Sequence, residues 1–176
     1  MRGEPAEPYS VYLGLGANLG DRAGNIRRAL TLLDAEEGLR VERVSSLYET
    51  EPWGGVPQPP FLNAAVMAVS AIPVSALLSA CQRIEHTLGR VRTVRWGVRC
   101  IDIDLLYVPN FTSQTAELTL PHPYLTERAF VLLPLAEIAP ALVILGKSVA
   151  DWAASAAGRS GVRRWEQPVA DTREKS

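Results

Sequence analysis

The chain has 176 residues, 47% of them apolar and 21% charged, which fits one globular domain with a real core and excludes a disordered or fibrous chain. Its net charge of −1 excludes a surface built as a whole to attract nucleic acid or an acidic membrane, so any basic site must be local. No apolar run approaches the roughly 20 residues that span a bilayer. Cys81 and Cys100 are too few for a disulfide framework or a cysteine zinc site, and the polar start Met1–Pro8, with Glu4 and Glu7, is not expected to act as a signal peptide. A reducing cytoplasm is the expected location.

Val11 to Leu15 reads as a short apolar strand, followed by a turn over Gly16-Ala17-Asn18-Leu19-Gly20. Asp21 is placed to cap a helix whose apolar face is Ile26, Ala29, Leu30 and Leu33 and which Gly38 stops. Leu39 to Thr50, with Val41, Val44 and Leu47, predicts a strand of irregular alternation. Glu51 to Pro60, with four prolines and two glycines, predicts a loop. Phe61 to Ile72 predicts another strand. Pro73 then starts a helix in which Val74, Leu77, Leu78, Cys81, Ile84 and Leu88 keep helical spacing up to Gly89. Ile101 to Val108 is a further strand, and a shorter one is expected near Leu118. A helical turn near Thr126, a helix over Lys147 to Ala157 and a loose polar tail after Gln167 complete the chain. The order β-α-β-β-α-β suggests an α+β sandwich with helices on one face of an antiparallel sheet. No internal repeat or second composition regime divides the chain, so one domain over residues 9–145, with a C-terminal extension over 146–176, is expected.

The stretch Ile101-Asp102-Ile103-Asp104-Leu105-Leu106 carries the most chemical information. On a strand, Asp102 and Asp104 share one face while Ile101, Ile103 and Leu105 point to the core. Two carboxylates one pleat apart repel unless water or a cation separates them, and Mg²⁺ takes such hard oxygen ligands while leaving positions for nucleotide phosphates. Two ordinary solvent-facing acids are the alternative, but Asp is depleted in strands. Just upstream, Arg90, Arg92, Arg95 and Arg99 lie within ten residues around Trp96-Gly97. Guanidinium groups grip phosphate oxygens in a forked geometry. A solvated loop or a small RNA-binding patch would also use such a run, but beside two aspartates a polyphosphate with its Mg²⁺ explains both.

Weaker signals are set aside. Gly14, Gly16 and Gly20 lack the third glycine of a dinucleotide turn because Leu19 stands there, and a tight turn is the simpler reading. Ala141 stands where a phosphate loop ending in Gly146-Lys147-Ser148 needs its first glycine. His122, in Leu120-Pro121-His122-Pro123, fits a nucleotide contact or a structural loop equally well, and His86 falls on a polar helix face.

Taken in order, several motifs resemble the 6-hydroxymethyl-7,8-dihydropterin pyrophosphokinases of folate biosynthesis. They are Gly14-Leu15-Gly16-Ala17-Asn18-Leu19-Gly20-Asp21, Tyr48-Glu49-Thr50-Glu51-Pro52, Phe61-Leu62-Asn63-Ala64-Ala65, Gly89-Arg90-Val91-Arg92, Arg95-Trp96-Gly97-Val98-Arg99-Cys100-Ile101-Asp102-Ile103-Asp104-Leu105, Pro121-His122 and Arg128-Ala129-Phe130. The resemblance runs from about Val11 to Leu142. It implies a ferredoxin-like fold and transfer of pyrophosphate from ATP to the pterin hydroxymethyl group, releasing AMP. It further implies two Mg²⁺ ions on Asp102 and Asp104, and a mobile loop on which Arg90 and Arg92 act in catalysis, with Arg92 reaching the phosphates. Gln82, Glu85, Arg92, Arg99, Leu105, His122 and Arg128 match positions on the ATP side. Thr50, Glu51, Trp53, Phe61, Asn63 and Phe130 match positions around the pterin, with Trp96 in the closing loop. The implied partners are these small molecules, with no nucleic acid and no membrane; docking to other folate-pathway enzymes is compatible with the sequence.

The chemistry of the residues agrees with that division. Phe61 and Phe130 can supply aromatic faces to a flat pterin, and Asn63 offers both donor and acceptor to its edge. Val98 stands where the family has proline, and Trp53 replaces a smaller apolar residue. Two rivals remain. An RNA-binding module shares the β-α-β-β-α-β order but needs adjacent aromatics on its central strands. A sugar-nucleotide transferase could use the same aspartate pair.

Overall fold

A computed structural model describes residues 4–51, 57–89 and 100–166. The first strand, β1 (Tyr9–Ala17), is longer than the apolar run Val11–Leu15 and takes in Gly14 and Gly16, which are therefore strand residues and not part of a turn. Asp21 accepts a hydrogen bond from the Gly24 amide at 3.0 Å and starts α1 (Arg22–Ala35). Beyond the helix, Gly38 has φ +81°, and a Cβ there would come within 2.7 Å of Ile72 Cγ2, so both conformation and space demand glycine.

The single strand expected over Leu39–Thr50 is broken into β2 (Leu39–Val44) and β3 (Tyr48–Thr50). At the break the Ser45 amide donates to Ala65 O at 2.9 Å, while its Oγ accepts from the Ala65 amide at 2.8 Å. A side chain thus takes over a ladder bond. Both pieces pair antiparallel with β4 (Phe61–Ser70), which ends two residues before the predicted Ile72. Then follow α2 (Val74–Thr87), β5 (Asp102–Tyr107) and a small ribbon of β6 (Ser113–Gln114) with β7 (Thr119–Leu120). The chain continues through α3 (Ala129–Ile138), the hairpin β8 (Val143–Ile144) and β9 (Lys147–Ser148), α4 (Val149–Ser155), a 3₁₀ turn at Arg159–Gly161, and β10 (Val162–Arg164).

The main sheet runs β10-β3-β4-β1-β5, with β2 also on β4, and its pairings are antiparallel. Counting β2 and β3 as one broken strand, this is the ferredoxin-like order. Period-two alternation sorts the side chains. Val11, Leu13 and Leu15 of β1, Leu62, Ala64 and Val66 of β4, and Ile103 and Leu105 of β5 form one core with Ile26 and Leu33 of α1 and Leu77 and Ile84 of α2. Tyr12, Ala65 and Leu106 face the other way and pack with Leu135 and Ile138 of α3 and Val149 of α4.

Helices therefore cover both faces, not one. The expectation missed α3 because its sequence, AFVLLPLAEI, is apolar nearly all round and contains Pro134. Such a segment shows no polar stripe by which periodicity could identify it.

Candidate active site

The α3-side face of the sheet does not close completely. Gly16 lies between Asn63 of β4 and Asp102 of β5, and Gly14 lies between Ala65 and Asp104. With no side chain at either glycine, the floor stays open. A Cβ on Gly16 would approach Asn63 Oδ1 to 3.1 Å and Phe61 Cδ1 to 3.9 Å. Above this floor is a cavity of about 570 Å³, a size suited to a small organic ligand. Thr50, Glu51 and Gln58 wall one end, Asp102 and Asp104 the other, and Tyr124, Arg128, Phe130 and Val131 form the roof.

Phe61 and Asn63 project from β4 into the cavity, and Phe130 enters it from the first turn of α3. Asn63 is 7% exposed, and its Nδ2 is a buried donor with no hydrogen-bond partner among the described residues. An amide left so is expensive to desolvate. Gln58 is held in the wall by Asn18, whose Nδ2 donates to Gln58 Oε1 at 2.8 Å and to Pro59 O at 3.3 Å.

Asp102 is half-buried and Asp104 exposed, both on the cavity face of β5. Among the described residues no group of three or more His, Cys, Asp or Glu side chains assembles around them. The aspartates thus offer an incomplete ligand set of hard oxygens. Zinc or a calcium cage would demand more protein ligands, whereas Mg²⁺ fills its remaining positions with water and phosphate oxygens.

The residues expected on the ATP side fall in several places. Arg128 lines the cavity, its guanidinium carbon 4.8 Å from the Tyr124 ring centroid and 5.6 Å from that of Phe130. His122 lies beside the cavity wall, its amide donating to Leu106 O at 2.8 Å and its Nδ1 accepting from the Tyr124 amide at 3.3 Å. Burial and the Arg128 charge hold its pKa below the usual value, so the ring is neutral at pH 7. Gln82 is exposed on α2. Leu105 points into the α1/α2 core, and its neighbour Leu106 lines the cavity instead. Glu85 is 6% exposed on α2, where Oε1 accepts from the Ile103 amide at 3.1 Å. It thereby grips the backbone between the two aspartates. Beneath β5, burial and the nearby Glu85 push the Cys81 thiol up to about 12, so it is no nucleophile. Arg90, Arg92, Trp96 and Arg99, together with Trp53, lie outside the described residues.

Sequence reasoning did not single out Gln58, Leu106, Tyr124, Glu127 or Val131, all of which line the cavity. Gly14 and Gly16 did carry a usable signal, since alternate glycines in an otherwise apolar strand mark a face kept clear. The rival RNA-binding surface fares poorly, because the adjacent aromatics on β1 and β5, Tyr12 and Tyr107, pack against the α3 cluster instead of standing open to stack on bases.

Residues 12–140 match the family profile described as 7,8-dihydro-6-hydroxymethylpterin-pyrophosphokinase. The chain is 48% identical over 156 residues to the 2-amino-4-hydroxy-6-hydroxymethyldihydropteridine pyrophosphokinase of Methylorubrum extorquens, covering 89% of this chain and 98% of that protein. It is 43% identical over 158 residues to the enzyme of the same name from Bacillus subtilis, covering 89% and 90%. Among solved structures, a Plasmodium falciparum HPPK-DHPS chain crystallised with pteroate superposes with a TM-score of 0.66 at 16% identity, covering 87% of this chain but 45% of that one. That likeness concerns the fold alone, and this chain spans less than half of the solved one. With a matching profile over most of its length and two such relatives matched over nearly their whole lengths, the chain belongs to the 7,8-dihydro-6-hydroxymethylpterin-pyrophosphokinase family.

Proposed function

We propose that the cavity binds the pterin at its Phe61–Asn63 end and the phosphates of ATP at its Asp102–Asp104 end, so that the reaction takes place between the two. The reaction is that of the family, pyrophosphoryl transfer to hydroxymethyldihydropterin in folate biosynthesis, with ATP as co-substrate. The pyrophosphokinase domain is taken as residues 9–145, with 146–176 as its extension.

The observation that carries this reading is the buried Asn63 Nδ2, unpaired among the described residues, in a cavity flanked by Phe61 and Phe130. A flat heterocycle with acceptors on its edge would satisfy the amide, while the two rings supply aromatic faces. Thr50 and Glu51 add polar groups at the same end. At the other end Asp102 and Asp104 would hold Mg²⁺, two ions by the family resemblance. When bound, Mg²⁺ supplies neutralisation of charge on the phosphate oxygens. Arg128 adds a fixed positive charge to the wall, and the neutral His122 can serve as a hydrogen-bond partner. The guanidinium groups of Arg90, Arg92 and Arg99 suit the same phosphates. Gln82 and Glu85 are assigned to the nucleotide side by resemblance; Glu85's bond to Ile103 also lets it orient β5. Phosphoryl chemistry depends mostly on positioning and charge neutralisation, and this residue set is suited to both.

Docking to other folate enzymes is supported by relatives such as the pea folate synthesis bifunctional protein, mitochondrial. This chain is 40% identical to it over 151 residues, which make up 29% of that protein. The decisive experiment is incubation with ATP, Mg²⁺ and 6-hydroxymethyl-7,8-dihydropterin, followed by detection of AMP and the pterin diphosphate. AMP that forms only with pterin and Mg²⁺ present is the expected result. A nucleoside diphosphate as product, or turnover unaffected by chelator, would overturn the reading.

A further inference from the structure

We infer that Arg22, Glu49 and Arg163 form a positioning network that sets the shape of the pterin end of the cavity from the opposite side of the sheet, with the C-terminal strand β10 as one of its parts. The inference rests on reading that end as the pterin site.

β3 is only three residues long and ends in Thr50, which with the following Glu51 belongs to the cavity wall. One edge of β3 pairs with β4, which places Thr50 beside Phe61 and Tyr48 beside Asn63. The other edge pairs with β10, where Val162, Arg163 and Arg164 oppose Thr50, Glu49 and Tyr48. One residue further on, the Trp165 amide donates to Leu47 O at 2.8 Å. So short a strand would be a weak edge without this second partner. The matched family profile ends at residue 140, so the stretch that supplies β10 lies beyond it.

Glu49 shares a face with Leu62, away from the cavity. It therefore acts on substrate only through other groups. Its Oε2 accepts from Arg22 Nη1 at 2.9 Å and its Oε1 from Arg163 Nη2 at 3.3 Å. The same Arg22 Nη1 donates its second hydrogen to Pro60 O at 2.8 Å. Pro60 immediately precedes Phe61. One guanidinium at the start of α1 thus ties the strand bearing Thr50 to the peptide that aims Phe61, and Arg163 supplies a second, more exposed donor to the other carboxylate oxygen. The Arg22 and Glu49 side chains are 22% and 20% exposed, enclosed enough for the pairing to hold geometry, whereas Arg163 at 70% acts mainly through its strand.

The test uses the full chain with Glu49→Gln, Arg22→Lys, Arg163→Met and the double variant Arg22→Lys/Glu49→Gln. Arg22→Lys keeps the charge but gives up the donor pair shared between Glu49 and Pro60. Each of the first two is expected to raise KM for the pterin roughly three- to tenfold while KM for ATP stays within about twofold, as for loss of one hydrogen bond of ordinary net strength felt at one end only. Arg163→Met should act in the same direction but less. The double variant should be no worse than the poorer single, because both break one connection. A merely structural role would lower the melting temperature and move both KM values together, and that result overturns the inference. So does an unchanged pterin KM, or single effects that multiply. Should Glu49→Gln fail to fold, Arg22→Lys and the exposed Arg163→Met still decide. Phe61→Ala, measured alongside, separates the two failures. If it also leaves pterin KM unchanged, the cavity reading falls; if it raises KM and the network variants do not, the network alone falls.

Discussion

Replacing Asn63 by leucine should stabilise or leave unchanged the free protein while damaging substrate binding. The free protein holds Asn63 93% out of solvent (7% exposed) with Nδ2 unpaired among the described residues. Leaving such an amide unsatisfied costs about 1–3 kcal/mol. A leucine, larger but of the same branched shape, removes that penalty, and the missing Cβ of Gly16 beneath Oδ1 leaves room for a methyl group. Shape misfit returns up to roughly 1.5 kcal/mol, so the net change in stability runs from about 0.5 kcal/mol against the variant to about 3 kcal/mol in its favour. For a chain of this length each kcal/mol shifts the melting temperature by roughly 2–4 °C, readable by differential scanning calorimetry. With the pterin bound, the variant strands a polar edge of the ligand against a methyl group. Affinity should then fall by about 1–3 kcal/mol, roughly five- to 150-fold in titration calorimetry, with ATP affinity unaltered. A melting temperature lower by more than roughly 4 °C together with unchanged pterin affinity would refute the reasoning and make the amide a structural group.

Asp102→Asn and Asp104→Asn should each abolish turnover in Mg²⁺ with the melting temperature held or slightly raised, since one of two carboxylates on one strand face is neutralised; near-normal AMP release by either variant would remove the metal assignment. Phe61→Ala should weaken the pterin by about 0.5–1.5 kcal/mol beyond the buried area lost, and ATP hardly at all; equal losses in calorimetry would make Phe61 a packing residue. Tyr48, pushed up to about 12 by burial and its hydrogen bond to Glu137, should contribute stability that is complete below pH 10 and lost as pH rises towards 12. Tyr48→Phe should flatten the alkaline limb of a denaturation profile over that window, and an unchanged limb would rule the group out. Burial raises the Glu137 carboxyl, but hydrogen bonds from Tyr48 and Ser46 outweigh it and hold it below the usual range. Its contribution is present above the ordinary carboxylate value near 4.5 and is lost as pH falls through its lower folded value, so Glu137→Gln should lessen acid sensitivity there in urea titrations.

Strand and helix periods made β1, α1, β4, α2 and β5 readable from residue types, because each has one apolar face and one that differs from it. Asp102 and Asp104 were readable for the same reason, as polar residues at alternate positions of an apolar strand. What stayed hidden lacks that contrast. α3 is apolar on every side and carries Pro134, while β10 is the triplet Val-Arg-Arg, a strand only because β3 has an edge to offer. Gln58 and Tyr124 reach the cavity through loop paths fixed by tertiary bonds such as that from Asn18. No local pattern encodes such a path.

The two strand glycines have a consequence for how the protein responds to heat. On the α1/α2 side the sheet is packed by the chain itself, whereas on the α3 side Gly14 and Gly16 leave a stretch of layer that the protein does not fill. A ligand lying there acts as a missing piece of hydrophobic core, and its binding energy becomes folding energy, about 2.7 kcal/mol at a hundred times its dissociation constant. Melting temperature is therefore a direct gauge of occupancy, and flat heteroaromatic fragments can be ranked by thermal shift without running the reaction.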